Sequence, residues 1–175
     1  FESLRQYPKP IQTPHPPIWG ATSSEDRHQQ IGALGLGLCS FAVGVPPEEV
    51  KKKIDVYRAA IARCEAPLGK WVHDQAATFT MTLCAPTREE AWEVGRESFE
   101  WYPKAGARLI GSLAGWMAET RTDLGNYAYA ADLEKVDKSG ALDLLTLEYL
   151  TSSGACALGT PEECLEVCRR YDAAG

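Results

Sequence analysis

The chain has 175 residues, a formal net charge of −6 and a sequence pI near 5.1. Its 45% hydrophobic and 24% charged residues exclude a disordered chain. The acidic balance argues against a nucleic-acid surface, which needs clustered Lys and Arg, and no run of about 18 apolar residues provides a membrane span. The longest basic run, Lys51-Lys52-Lys53, shares its segment with Glu48 and Glu49. The six cysteines, at positions 39, 64, 84, 156, 164 and 168, form no loop-rich, Cys-dense framework. Cys39 and Cys84 fall in apolar runs that predict buried strands, and Cys164 and Cys168 share one helix face. They read as reduced thiols packed in a core, which suits the cytoplasm. The chain begins at Phe1 without a signal peptide and stops at Gly175 directly after a helix, so both ends read as cuts through something longer.

The amino-terminal stretch Pro8–Pro17 holds five prolines in ten residues and predicts an extended lead-in. It delivers the chain to Ile18-Trp19-Gly20-Ala21, a short apolar run predicted as a buried strand. Thr22-Ser23-Ser24-Glu25-Asp26 places hydroxyls ahead of acids and predicts a helix start; the helix runs to about Leu34 and ends at Gly35 as a left-handed cap. Leu36–Phe41 predicts a second buried strand. Pro46-Pro47-Glu48-Glu49 opens the next helix, and Val50, Ile54, Tyr57 and Ile61 give it one apolar face. Residues 76–85 alternate Thr with apolar side chains and predict one strand. Thr87-Arg88-Glu89-Glu90 is a capping box for a helix expected to end near Tyr102.

This β-α-β-α-β-α order predicts an α/β fold with a parallel sheet wrapped by helices. The pattern then breaks from Pro103 to Ser139, a stretch long enough to be a lid-like insertion. Helical spacing returns over 140–151 through Leu142, Leu145 and Tyr149. Ala155–Gly159 predicts a short turn or strand, and Thr160-Pro161-Glu162-Glu163 is a second capping box for a final helix.

The most informative site is the junction Ala21-Thr22-Ser23-Ser24. Free backbone amides at a helix start, with adjacent hydroxyls and the helix dipole, suit an anion, and Arg27 one turn in could add a contact to phosphate. The competing reading is that Ser23 or Ser24 simply caps the helix. His15 reads as a rim histidine, and His28 and His73 as surface residues. Cys164 and Cys168 are four apart but lack further ligands for a metal. Trp19, Phe41, Trp101, Tyr102, Tyr127 and Tyr129 are candidates either for the core or for a pocket around a flat ring.

The run from Gln12-Thr13-Pro14-His15-Pro16-Pro17-Ile18-Trp19-Gly20 through Ser24, then Gly35–Phe41, resembles the central stretch of the bacterial luciferase-like flavin-dependent monooxygenases. Gly159–Cys164 resembles the start of the last helix in the same family. The resemblance implies a (β/α)8 TIM barrel, of which this chain would be the carboxyl-terminal part without the closing strand, since such barrels need about 250 residues. It implies reduced FMN, or in some branches a deazaflavin, and dioxygen used to oxidise a small organic substrate. A flavin reductase would supply the reduced flavin, and the enzyme would be a homo-oligomer. Ala21, Thr22, Ser23 and Ser24 would bind the flavin phosphate with help from Arg27, and Ser40 and Phe41 would face the flavin. Catalytic residues are unknown: the family's catalytic histidine and flavin-ring contacts come from amino-terminal strands, so this fragment alone is expected to be inactive. The alternatives are a deazaflavin-dependent reductase or dehydrogenase on the same fold and a non-catalytic flavin-binding protein.

Overall fold

A computed structural model of the chain describes residues 7–120, 123, 125 and 129–175. They form an α/β fold with two parallel sheets. The elements are β1 (Trp19–Thr22), α1 (Glu25–Ala33), β2 (Gly37–Phe41), α2 (Pro47–Ile61), β3 (Ala76–Phe79), β4 (Thr82–Cys84), α3 (Arg88–Glu119), α4 (Tyr129–Lys138), a 3-10 turn (Ala141–Leu144), α5 (Leu147–Ser152), β5 (Ala157–Gly159) and α6 (Pro161–Asp172). They divide into two compact units. The first runs to Ala42 and adds Glu48–Phe79 and Ala174–Gly175; the second comprises Val43–Pro47 and Thr80–Ala173.

In the first unit β1, β2 and β3 pair in parallel in chain order, with Trp19 opposite Gly37 and Leu38 opposite Ala76. Parallel strands need crossovers, and α1 and α2 supply them. One sheet face is closed by these helices: Leu38 and Ser40 are buried with Ile31, Val50, Ile54, Tyr57 and Ile61. The fit is close, because a Cβ on Gly32 would stand 2.7 Å from the Tyr57 carbonyl oxygen. Gly35 ends α1 with φ +67°, as the cap reading expects. The opposite face is not buried, contrary to the strand readings. Trp19, Phe41 and Phe79 are exposed there, and the two phenylalanine rings meet edge to face at 5.0 Å.

In the second unit β4 and β5 pair in parallel. Ala91 and Phe99 of α3, Leu147 and Leu150 of α5, and Ala155, Cys156 and Leu158 form its core, with Met81, Leu83, Ala85 and Trp92 packed against it. The expected single strand 76–85 is therefore two. The ladder breaks at Thr80, whose hydroxyl donates to the Ala155 carbonyl (2.7 Å), and the Met81 carbonyl accepts from Ala157 N–H (3.0 Å).

The helix expected to stop near Tyr102 continues through Pro103 to Glu119. Ala105, Ala107, Leu109, Leu113 and Ala114 are strong helix formers that outweigh one missing donor. The expected irregular stretch 103–139 thus holds the end of α3 and all of α4, while Arg121, Thr122, Leu124, Asn126, Tyr127 and Ala128 lie outside the described residues. The expected helix over 140–151 is the 3-10 turn followed by α5.

The second capping box forms in full: Thr160 Oγ1 accepts from Glu163 N–H and the Glu163 carboxylate accepts from Thr160 N–H. Thr160→Ala should cost about 1 kcal/mol, measured as a lower midpoint in urea unfolding.

All six cysteines are free thiols. Cys156 and Cys164 are buried and burial raises both thiol pKa values, Cys156 to about 12. Cys84 and Cys168 are exposed, so the core reading fails for these two. Strand alternation turns Cys84 to the face opposite Leu83.

Candidate functional site

The β1–α1 turn lies wholly in the first unit. Ser24 is the N-cap of α1 with extended backbone (φ −93°, ψ 145°), yet its hydroxyl makes no cap hydrogen bond. Instead Thr22 Oγ1 accepts from Ser24 N–H at 3.2 Å. The carbonyls of the turn are tied back. Lys53 Nζ of α2 donates to the Ser23 carbonyl (2.8 Å), and His28 Nδ1–H donates to the Ser24 carbonyl (2.7 Å). In a trans peptide the C=O and the following N–H point in opposite directions. Holding Ser23 O and Ser24 O therefore aims the N–H groups of Ser24 and Glu25 the other way. Of these two, the Ser24 N–H is already taken by Thr22 Oγ1, and the Glu25 N–H belongs to the first helical turn, where amides lack intrahelical partners.

His28 corrects its reading as a surface residue: it is completely buried. A carbonyl can only accept, so Nδ1 carries the proton and Nε2 is the acceptor of the Ser40 hydroxyl (2.9 Å). Burial lowers the His28 pKa below 6.5; the Ser24 carbonyl opposes this, Lys53 adds to it and Glu25 opposes it. Ser40 in turn accepts from Thr78 Oγ1 through its carbonyl (3.0 Å). One hydrogen-bonded line thus joins the carboxyl ends of β2 and β3 to the N-cap of α1.

Ser40 faces the helix layer and Phe41 the exposed face, as strand alternation requires. Of the expected anion ligands, Thr22, Ser23 and Ser24 line the turn and Ala21 sits on the exposed face beside them. Arg27 Nη1 donates to Gln30 Oε1 (2.6 Å), further along α1. Lys53, missed from sequence, is the cation bonded to the turn. Its phase was the available signal: it stands three residues after buried Val50 and one before buried Ile54, at the edge of the apolar stripe. Glu25 and Asp26 in the first turn balance Arg27 and Lys53, so these four side chains bring no excess positive charge to the turn.

His15 packs against and hydrogen-bonds to nearby chain. It stacks on Trp71 (4.2 Å between centroids), donates from Nδ1 to the Pro16 carbonyl and accepts from Lys70 N–H at Nε2. His73 is half-buried against Trp19, and its buried Nε2 has no hydrogen-bond partner among the described residues. Among the described residues no cluster of His, Cys, Asp or Glu suits a metal ion, and no helix is long and apolar enough to cross a membrane.

The family described as Luciferase-like monooxygenase matches residues 1–175. The chain belongs to this family. Two solved structures share its fold. Monooxygenase RslO1 from Streptomyces bottropensis is 19% identical with a TM-score of 0.50, covering 95% of this chain and 40% of its own. The second is a type II Baeyer-Villiger monooxygenase, the oxygenating constituent of 3,6-diketocamphane monooxygenase from the CAM plasmid of Pseudomonas putida, in complex with FMN. It is 18% identical with a TM-score of 0.56, covering 91% of this chain and 39% of its own. The chain therefore spans about two fifths of the length of these structures. A comparison with curated proteins gave no match. The family resemblance carried by residues 12–24, 35–41 and 159–164 is thus met by a match over the whole chain, and the neighbours are of the monooxygenase type that it implied.

Proposed function

We propose that the chain is the carboxyl-terminal part of a luciferase-like (β/α)8 barrel whose complete enzyme uses reduced FMN and dioxygen to oxidise a small organic substrate. The β1–α1 turn is its flavin-phosphate site, and residues 103–139 serve as its lid-like insertion. A flavin reductase supplies the reduced cofactor, and the enzyme works as a homo-oligomer.

The observation that carries the phosphate assignment is the direction of the turn. Its carbonyls are held by Lys53 and His28, the Glu25 amide points away from the Ser24 carbonyl, and the Ser24 hydroxyl makes no cap bond. A phosphate needs several donors converging on oxygen, and this turn offers the Glu25 amide together with the hydroxyls of Thr22, Ser23 and Ser24. Thr22, Ser23 and Ser24 would hold the phosphate, with Arg27 able to swing to it. Bound reduced flavin supplies the electrons for dioxygen activation; the residues described here bind and orient it.

Ser24→Ala in the full-length protein should weaken FMN binding by about 3- to 10-fold and leave riboflavin binding unchanged, because riboflavin lacks the phosphate. Fluorescence titration measures both affinities. Equal FMN affinity in wild type and variant would count against the assignment. The same titration with a deazaflavin, paired with oxygen consumption, separates a monooxygenase from a hydride-transferring relative.

A further inference from the structure

We propose that His28 is a positioning residue for cofactor binding: its buried imidazole, braced by Ser40, holds the Ser24 carbonyl and so presets the Glu25 amide that meets the flavin phosphate. The inference rests on the phosphate reading of the β1–α1 turn.

Three features carry it. His28 is fully buried on a helix whose other residues include only Ile31 and Gly32 in the core, so a polar side chain occupies one of the few buried positions of α1. Both ring nitrogens are used, at 2.7 Å to the Ser24 carbonyl and 2.9 Å to the Ser40 hydroxyl. The Ser24 carbonyl already accepts the helical bond from the His28 backbone N–H (3.2 Å). The imidazole bond is therefore additional to helix formation. It adds a second, shorter hold on the peptide plane whose N–H belongs to Glu25. Ser40 sits at the end of β2 and braces the ring from the far side. A ligand site held this way binds better because less freedom is lost on binding.

The test compares FMN with riboflavin in the full-length protein. A merely structural role for His28 would weaken both flavins together. A positioning role changes their ratio. Wild type should prefer FMN, and His28→Leu should cut that preference about 3- to 10-fold. His28→Asn keeps a donor at the position of Nδ1 and should restore most of the preference. Ser40→Ala should lower it less. In wild type, 15N spectra of the histidine side chains should give His28 as the neutral Nδ1–H tautomer, with a resonance that moves on FMN and not on riboflavin. If Ser24→Ala lowers the FMN preference while His28→Leu and Ser40→Ala leave it intact, the inference is overturned. An Nε2–H tautomer for His28 overturns it as well. If wild type binds FMN and riboflavin equally, the phosphate reading itself has failed, which is a separate outcome.

Discussion

Tyr57→Ala is expected to destabilise the three-stranded unit by about 3–5 kcal/mol, the range for removing a large buried aromatic side chain. Tyr57 has no exposed surface, and its hydroxyl lies 3.0 Å from the Leu36 carbonyl, 3.1 Å from that of Gln75 and 3.4 Å from that of His73. One α2 side chain thereby clamps the segments that enter β2 and β3. Tyr57→Phe keeps the ring and loses only the hydroxyl, so it should cost about 1–2 kcal/mol. Burial, with the Asp74 carboxylate nearby, pushes the Tyr57 pKa up from 10.0 to about 12. The unfolded chain therefore loses this proton at a pH where the folded chain keeps it. Stability falls as pH rises from 10 towards 12, by up to about 2–3 kcal/mol from this group. Other tyrosines and lysines titrate in the same range, so the informative quantity is the difference between wild type and Tyr57→Phe in denaturant titrations across that window. Parallel pH curves for the two proteins would refute the assignment.

Leu150→Ala should cost the second unit about 2–5 kcal/mol. Leu150 is fully buried on α5 among Phe99, Leu147, Cys156 and Leu158. The cavity cannot close easily, because α5 is fixed on both sides. Glu100 accepts from Leu147 N–H at 2.9 Å, and the Leu150 carbonyl accepts from Cys156 N–H at 3.2 Å. Leu144, 72% exposed a few residues earlier, is the control: its replacement by alanine should change the unfolding midpoint little. Equal shifts for the two variants would contradict the core described for this unit.

What the sequence made legible was set by local physics. The Thr160 box and its proline specify a helix start from four neighbouring residues, and it formed as read. Val50, Ile54, Tyr57 and Ile61 recur at helical spacing, and all four are buried. The failures involve partners distant in the chain. Nothing between Ala76 and Ala85 announces that the ladder breaks at Thr80, because the break depends on hydrogen bonds to Ala155 and Ala157. Pro103 suggested an end to α3 on a local rule that the following Ala- and Leu-rich run overrode. His28 was misjudged by its polar neighbours Arg27, Gln29 and Gln30. Its helical phase, three and four residues before Ile31 and Gly32, places it on the buried face. At the β1–α1 turn, Thr22, Ser23 and Ser24 stand out in the sequence because helix starts are written in adjacent residues. The groups that hold their carbonyls come from elsewhere in α1 and from α2.

The parallel register of β1, β2 and β3 also shapes how the first unit can fold. With Trp19 opposite Gly37 and Leu38 opposite Ala76, the ladders close loops of about 18 and about 38 residues. No hairpin can start this sheet, so chain entropy is lost before the first ladder bond repays it. The second closure spans about twice the first and costs about 0.6 kcal/mol more on that count alone. Helices α1 and α2 shorten both searches by condensing the intervening chain, which makes their early formation a kinetic requirement for the sheet as well as a cover for its buried face.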